Sequence, residues 1–183
     1  MAYESNEDSS LRDKVIHISR HAKVVKGGRR FSFAALVVVG DGAGKVGIAK
    51  GKAKEVPDAI KKGFERAKRE MRDVKLSGHT IPHEVMGHFG SGRVYMRPAA
   101  PGTGVIAGGA TRAILEAVGV RDVFAKSHGT SNPANVAKAT IEGLLRLRSR
   151  GDFESLRTAA PTPPAPPRPA APIEGMPEDQ PQG

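Results

Sequence analysis

The 183-residue chain carries 29 Lys plus Arg against 19 Asp plus Glu, a formal net charge of +10, and contains neither Cys nor Trp. A field of that sign favours polyanions, nucleic acid first among them. The absence of Cys excludes disulfides, thiolate nucleophiles and thiolate metal sites, and no long apolar span or amphipathic helix with large apolar anchors supports a membrane partner.

Residues 1–10 hold Glu4, Glu7 and Asp8 and no Lys or Arg, an acidic flexible N-terminus without the basic and apolar regions of a signal peptide, so export is not expected. Arg12 to Val25 is rich in β-branched residues and runs into the Gly27-Gly28 pair, which predicts a strand and a turn. Phe31 to Val39 predicts a second, strongly apolar strand, Gly40 to Gly44 a tight turn, and Lys45 to Lys50 a third strand paired back on the second. A helix follows, opened by Pro57 and Asp58, with Ile60, Phe64, Ala67, Met71 and Val74 on one apolar face and Lys61, Lys62, Arg66 and Arg69 elsewhere. This first unit, residues 11–76, is a sheet backed by one helix whose solvent side is basic.

The second unit spans residues 77–153, with the boundary at Ser77 and Gly78. Thr80 to His88 and Arg93 to Met96 predict strands around the turn Phe89 to Gly92. The glycine-rich stretch Pro101 to Arg112 leads into a helix carrying Ile114, Leu115 and Val118, with Gly119 as its C-cap. Val120 to Ala125 predicts a short strand. Asn132 caps a last helix with Pro133 at its first position and Val136, Ala137, Thr140, Ile141, Leu144 and Leu145 as its buried stripe. The fold class is α+β, two small α/β domains in tandem.

Residues 154–183 form the last segment. Nine of the 14 prolines lie beyond Thr158, no aromatic residue does, and the stretch has the composition of a disordered tail with polyproline II character. Removing the three acids of residues 1–10 and the net −2 of residues 158–183 leaves +15 on residues 11–157. Charge so concentrated implies a binding surface.

Several stretches imitate catalytic motifs and fail on spacing. Gly42, Gly44 and Gly47 satisfy the G-x-G-x-x-G pattern but lead into a strand, where a dinucleotide site requires a helix. Gly44-Lys45 is followed by Val46, which lacks the magnesium-binding hydroxyl of a phosphate loop. His83, Glu84 and His88 resemble a metalloprotease helix with one residue too many between the histidines, and Pro82 and Gly87 oppose a helix. Ser127 and His128 are sequence neighbours with no third orienting group. Neither a catalytic site nor a metal or cofactor is expected, and the chain does not read as an enzyme.

The basic surface of the first unit carries the functional expectation. Arg20, Lys23, Lys26, Arg29 and Arg30 lie in eleven residues without an acid and flank the Gly27-Gly28 turn. Lys45, Lys50, Lys52 and Lys54 are expected to continue the charge toward Lys61, Lys62, Arg66 and Arg69 on the helix. A sheet and helix with a protruding basic loop suits the shape of double-stranded RNA. Only 4% of residues are aromatic, so base stacking is not the expected mode, and Phe31 and Phe33, at alternate positions of an apolar strand, are expected in the core.

The blocks Val24 to Gly63, Pro101 to Val120 and Ser131 to Leu144, in this order and spacing, closely resemble the bacterial family of small-subunit ribosomal protein five, with the likeness running from Leu11 to Arg148. The resemblance implies an N-terminal domain related to the double-stranded-RNA-binding fold, a three-stranded sheet plus helix, and a C-terminal two-layer α/β domain. It implies a cytoplasmic ribosomal protein bound to small-subunit (16S) rRNA where head and body meet, near where messenger RNA enters, with ribosomal proteins four and eight as neighbours. Lys23, Lys26, Gly27, Gly28 and Arg29 match the family's RNA-contacting loop near the spectinomycin pocket. Gly104 and Arg112 match its surface toward protein four, where the family influences decoding accuracy. The proline-rich tail departs from the shared core.

Overall fold

The computed structural model describes residues 11–152 and Glu154. The expected flexible N-terminus and, Glu154 apart, the proline-rich tail lie outside the described residues. The first sheet contains β1 (Arg12–Val25), β2 (Gly28–Gly40), β3 (Lys45–Ala53) and, after helix α1 (Val56–Arg69), the two-residue β4 (Arg72–Asp73). All neighbours are antiparallel, in the order β1-β2-β3-β4. Strand β4 is an addition to the expected three-stranded sheet. The second sheet contains β5 (Val85–Phe89), β6 (Gly92–Pro98), β7 (Val105–Ile106) and β8 (Val123–His128) in the order β5-β6-β8-β7, with β7 parallel to β8 and the rest antiparallel. Helix α2 (Gly109–Val118) connects β7 to β8, and α3 (Pro133–Leu145) follows.

Strand β2 reads as a continuous apolar run because both of its faces are covered. Ala35, Val37 and Val39 point toward α1 with Ala49, Ala59 and Ala67, while Leu36 and Val38 point the other way and join Val46, Ile114, Leu115 and Val118. The second cluster extends through Val94, Met96, Val123, Val136 and Leu144, so the main core crosses from one unit to the other. Fully burying one such side chain stabilises by about 1.5–3 kcal/mol, which makes this shared core the principal bond between the units. The layers run α1, first sheet, α2 with α3, second sheet.

Helix α1 departs from the expected pattern. It ends at Arg69, and its deepest stripe is Ala59, Gly63 and Ala67, with Ile60, Phe64 and Met71 partly buried beside it. Val74 lies beyond the helix and packs in the core shared with the second unit. Small residues line the stripe because helix and sheet approach closely: a Cβ on Gly51 would stand 2.0 Å from the carbonyl oxygen of Ala59. Hydrophobic spacing registered the flanking large residues and overlooked the small ones that set the contact.

Two strands also shift from expectation. The strand expected from Thr80 begins at Val85, since Pro82 supplies no amide hydrogen for a ladder. The strand expected at Val120 begins at Val123, because Gly119 (φ 100°) ends α2 and Val120 bonds back to the carbonyl of Leu115. At α3, Asn132 accepts the backbone N–H of Ala134, the expected cap.

Candidate nucleic-acid interface

The first unit presents a ribbon made only of β1 and β2. Strand β3 pairs with β2 no farther than Phe33↔Ala53, whereas β1 and β2 continue through five more rungs to Val25↔Gly28. At ~3.4 Å per residue the ribbon projects about 17 Å past the sheet. Lys23, Lys26, Arg29 and Arg30 lie on it and Arg20 stands at its base, opposite Phe33; all five are exposed, with no acid between Lys14 and Gly40. At the tip, Gly27 (φ 97°) and Gly28 (φ 139°) occupy backbone conformations that favour glycine, and no atom lies within 4 Å of where a Cβ would stand. Conformation, not space, requires glycine there.

The ladder register sorts these charges by face. Lys23 pairs with Arg30, two like charges directly opposite on the side away from α1. Lys50 and Lys52, opposite Leu36 and Ala34, share that side. Arg20 and Arg29 point to the α1 side, where the Arg20 guanidinium lies 4.9 Å from the centre of the Phe31 ring. Like charges across a ladder are destabilising in the free protein, and phosphates set against that side would relieve the repulsion.

The expected continuous track is not what the fold builds. Lys61, Lys62, Arg66 and Arg69 are exposed on α1, which covers the face opposite Lys50 and Lys52, and Lys54 sits in the turn that joins the two. Lys45 begins β3 at the end remote from the ribbon and pairs with Asp73 at 3.9 Å, while Arg66 pairs with Glu70 at 2.9 Å. The period of a strand puts Lys45 and Lys50, five residues apart, on opposite faces and keeps Lys50 and Lys52 together on the side away from α1, so closeness in sequence did not give one surface. Phe31 is a correction as well: it is 47% exposed, because its part of β2 lies beyond the reach of α1. Phe33, two rungs inward, packs beside Ala35 and Val37.

Gly104 and Arg112 belong to a second location. Gly104 (φ 81°) donates its N–H to Asp122 Oδ1 at 2.9 Å, and its carbonyl accepts the N–H of Val123, which fixes the chain entering β7. Arg112 Nε bonds Glu116 Oε1 at 2.8 Å within α2, and Lys14 of β1 bonds Glu116 Oε2 at 2.8 Å. The Arg112 and Lys14 hydrogen bonds together hold the Glu116 carboxyl below its ordinary pKa despite partial burial.

The motif imitations also find places. Gly42 and Gly44 lie in the turn between β2 and β3, and their N–H groups donate to the carbonyls of Ala117 and Val118 at 3.1 and 3.0 Å. Asp41 Oδ1 accepts the N–H groups of Ala43 and Lys45, each at 2.8 Å, which shapes the turn. Burial raises the Asp41 pKa, but these backbone donors and the Lys45 charge outweigh it and leave the carboxyl below the usual value. His83 precedes β5, accepts the N–H of Arg148 at Nε2 and bonds the Glu84 carbonyl through Nδ1, so its ring ties the end of the second unit to its start.

Residues 11–75 match the family model described as Ribosomal protein S5, N-terminal domain, and residues 87–157 match Ribosomal protein S5, C-terminal domain. The chain is 62% identical over 149 residues to the Small ribosomal subunit protein uS5 of Syntrophobacter fumaroxidans (strain DSM 10017 / MPOB), an alignment covering 81% of this chain and 89% of that protein.

Proposed function

The chain belongs to the ribosomal protein S5 family, and from that premise we propose that it is a structural, non-catalytic constituent of the small ribosomal subunit that binds 16S rRNA through the β1–β2 ribbon. The observation that carries this reading is the ribbon itself: four cations with a fifth, Arg20, at the base, no acid, an exposed aromatic ring and a glycine tip, projecting clear of the sheet. Lys23, Arg30, Lys50 and Lys52 neutralise phosphates on one side, Lys26, Gly27 and Gly28 bring the backbone close at the tip, and Arg20 and Arg29 engage RNA on the other side. Lys54, Lys61, Lys62, Arg66 and Arg69 form a separate phosphate-facing surface on and beside α1, and Lys45 contributes least because of its distance and its partner.

The finer roles follow the family pattern. Gly104 and Arg112 face ribosomal protein four and influence decoding accuracy, ribosomal protein eight is a further neighbour, and messenger RNA passes nearby. The RNA-binding unit ends at residue 76, before the Ser77–Thr80 turn, whose reciprocal backbone bonds separate the sheets. Sucrose-gradient fractionation of a cell lysate tests the whole: the protein should sediment with small subunits and leave them only when the RNA is degraded. A pool that stays at the top of the gradient with intact subunits below it would reject the proposal.

A further inference from the structure

Both α2 and α3 pack on one side of the second sheet, where Gly87, Val94, Met96 and Val123 are buried. Among the described residues no element packs on the other side. The ladder register assigns that open side to Met86 and His88 of β5, Arg93, Tyr95 and Arg97 of β6, Phe124, Lys126 and His128 of β8, and Ile106 of β7. Three cross-strand rows result. His88, Arg93 and His128 make the first, Met86, Tyr95 and Lys126 the second, and Arg97, Phe124 and Ile106 the third.

We propose that this open sheet face is a second RNA site, which takes an unpaired stretch of the small-subunit rRNA. The inference rests on the ribosomal reading of the chain and goes beyond the ribbon, since the face belongs to the opposite outer layer of the molecule from α1. Its chemistry is selective. Arg93, Arg97 and Lys126 supply fixed positive charge, His88 and His128 supply donors, the four strands themselves carry no acid, and Glu84, just before β5, accepts the Tyr95 hydroxyl at 2.8 Å. An acid-rich face would repel a phosphate chain; this one attracts it. The Arg97 guanidinium stands 5.4 Å from the centre of the Phe124 ring, and Ile106 and Met86 are 52% and 51% exposed.

Flat aromatic and apolar groups between cations on a four-stranded sheet suit splayed bases, which stack on rings while their phosphates meet the charges. A duplex hides its base faces and would gain nothing from Tyr95 and Phe124. An acidic protein surface would meet the charges but leave Phe124, Ile106 and Met86 without a base to cover. The low aromatic content of the chain concealed this arrangement, because two rings suffice when a sheet sets them in adjacent rows of one face.

The full-length protein is to be titrated with a fluorescein-labelled oligouridylate of about 12 nucleotides, within the ~4–16 nucleotides such platforms cover, and with an RNA duplex of similar length. Arg93→Gln combined with Lys126→Gln, both exposed positions, should lower the salt slope for the single strand by roughly 1.4, at ~0.7 per phosphate. Phe124→Leu should weaken single-strand binding roughly tenfold at every salt concentration. Neither variant should change duplex binding, whereas Lys23→Gln combined with Arg30→Gln should weaken it. Wild-type single-strand affinity in both face variants would overturn the proposal and leave the ribbon reading intact. Wild-type duplex affinity in the ribbon variant would overturn the ribbon reading alone. In assembled subunits, p-benzoylphenylalanine at position 126 should crosslink to the rRNA; a crosslink to protein only, or none, would again overturn the proposal.

Discussion

Gly42 donates its backbone N–H to the carbonyl of Ala117 at 3.1 Å, so the turn between β2 and β3 terminates helix α2. The last carbonyls of a helix have no partner within it, and here a turn from the other unit supplies donors through Gly42 and Gly44. Gly42 and Gly44, which begin the apparent G-x-G-x-x-G pattern, have their amides committed to this joint. Gly40 and Gly119 complete it, since a Cβ on either would stand 2.2 or 2.0 Å from a backbone oxygen.

Gly119→Ala should therefore be among the most destabilising single-methyl changes in the protein. The backbone at φ 100° strains any other residue, and the new methyl would meet the Gly42 oxygen at 2.0 Å. Strain of ~1–3 kcal/mol and overpacking of a further ~1–3 kcal/mol are expected to add. Gly102→Ala is the comparison: φ is 88° there, but nothing lies within 4 Å. Urea denaturation should show a clearly larger loss for Gly119→Ala, and equal losses would mean that the turn does not hold α2.

Much of this architecture was legible locally and little of it globally. The extent of β1, the Asn132 cap, the Gly119 stop and the glycine tip depend on neighbours in sequence, and each is where its residues indicate. The run from Phe31 to Val39 announced burial but not its source, since the second covering layer, α2, begins about 70 residues later. Phe31 was misjudged for the same reason: alternation marks a face as apolar without saying where the covering helix stops. The basic residues were identified by type, and only the register could separate Lys50 and Lys52 from the helix lysines.

Acid should loosen the contact between the units before it unfolds either sheet. Glu116 titrates below its ordinary 4.5 in the folded protein because Arg112 and Lys14 bond its charged form. A depressed pKa contributes stability that is complete above the unfolded value and is lost as the pH falls through the folded value. Asp41, in the α2 joint, follows the same direction, and Asp152, bonded by Lys75 and Ser149, is lowered to about 2. Glu116→Gln should thus lower the urea midpoint at neutral pH and make it fall less steeply below pH 4.5. A parallel, unflattened acid limb would show that the pairs contribute nothing.

Arg112→Ser is expected to change decoding accuracy before it changes subunit abundance. The Arg112–Glu116 pair lies within one helix and is more than a third exposed on both sides, a setting worth ~0–1 kcal/mol. Glu116 also keeps Lys14, so the units stay joined. Such a change is too small to dissolve a particle but large enough to bias the contact with protein four proposed above. A misreading reporter and a gradient profile from the same cells decide the order: normal error rates with depleted small subunits would contradict it.

Arg30→Gln separates folding from binding, because it should move them in opposite directions. In the free protein Arg30 faces Lys23 across the ladder, both exposed, with no acid on the ribbon to offset them. Removing one member of a like-charged cross-strand pair stabilises by ~0.2–1 kcal/mol, so the urea midpoint should rise slightly. The same substitution deletes one of the proposed phosphate contacts, and the salt slope for a 16S rRNA fragment should drop by about 0.9. Gly28→Val provides the contrast, because it removes no charge but forces a branched residue into φ 139°. It should disturb the tip that carries Lys26 and Arg29, reducing affinity while the urea midpoint falls. If Arg30→Gln weakened folding and left RNA binding unchanged, the ribbon charges would serve the fold, and the RNA surface would have to be sought on α1.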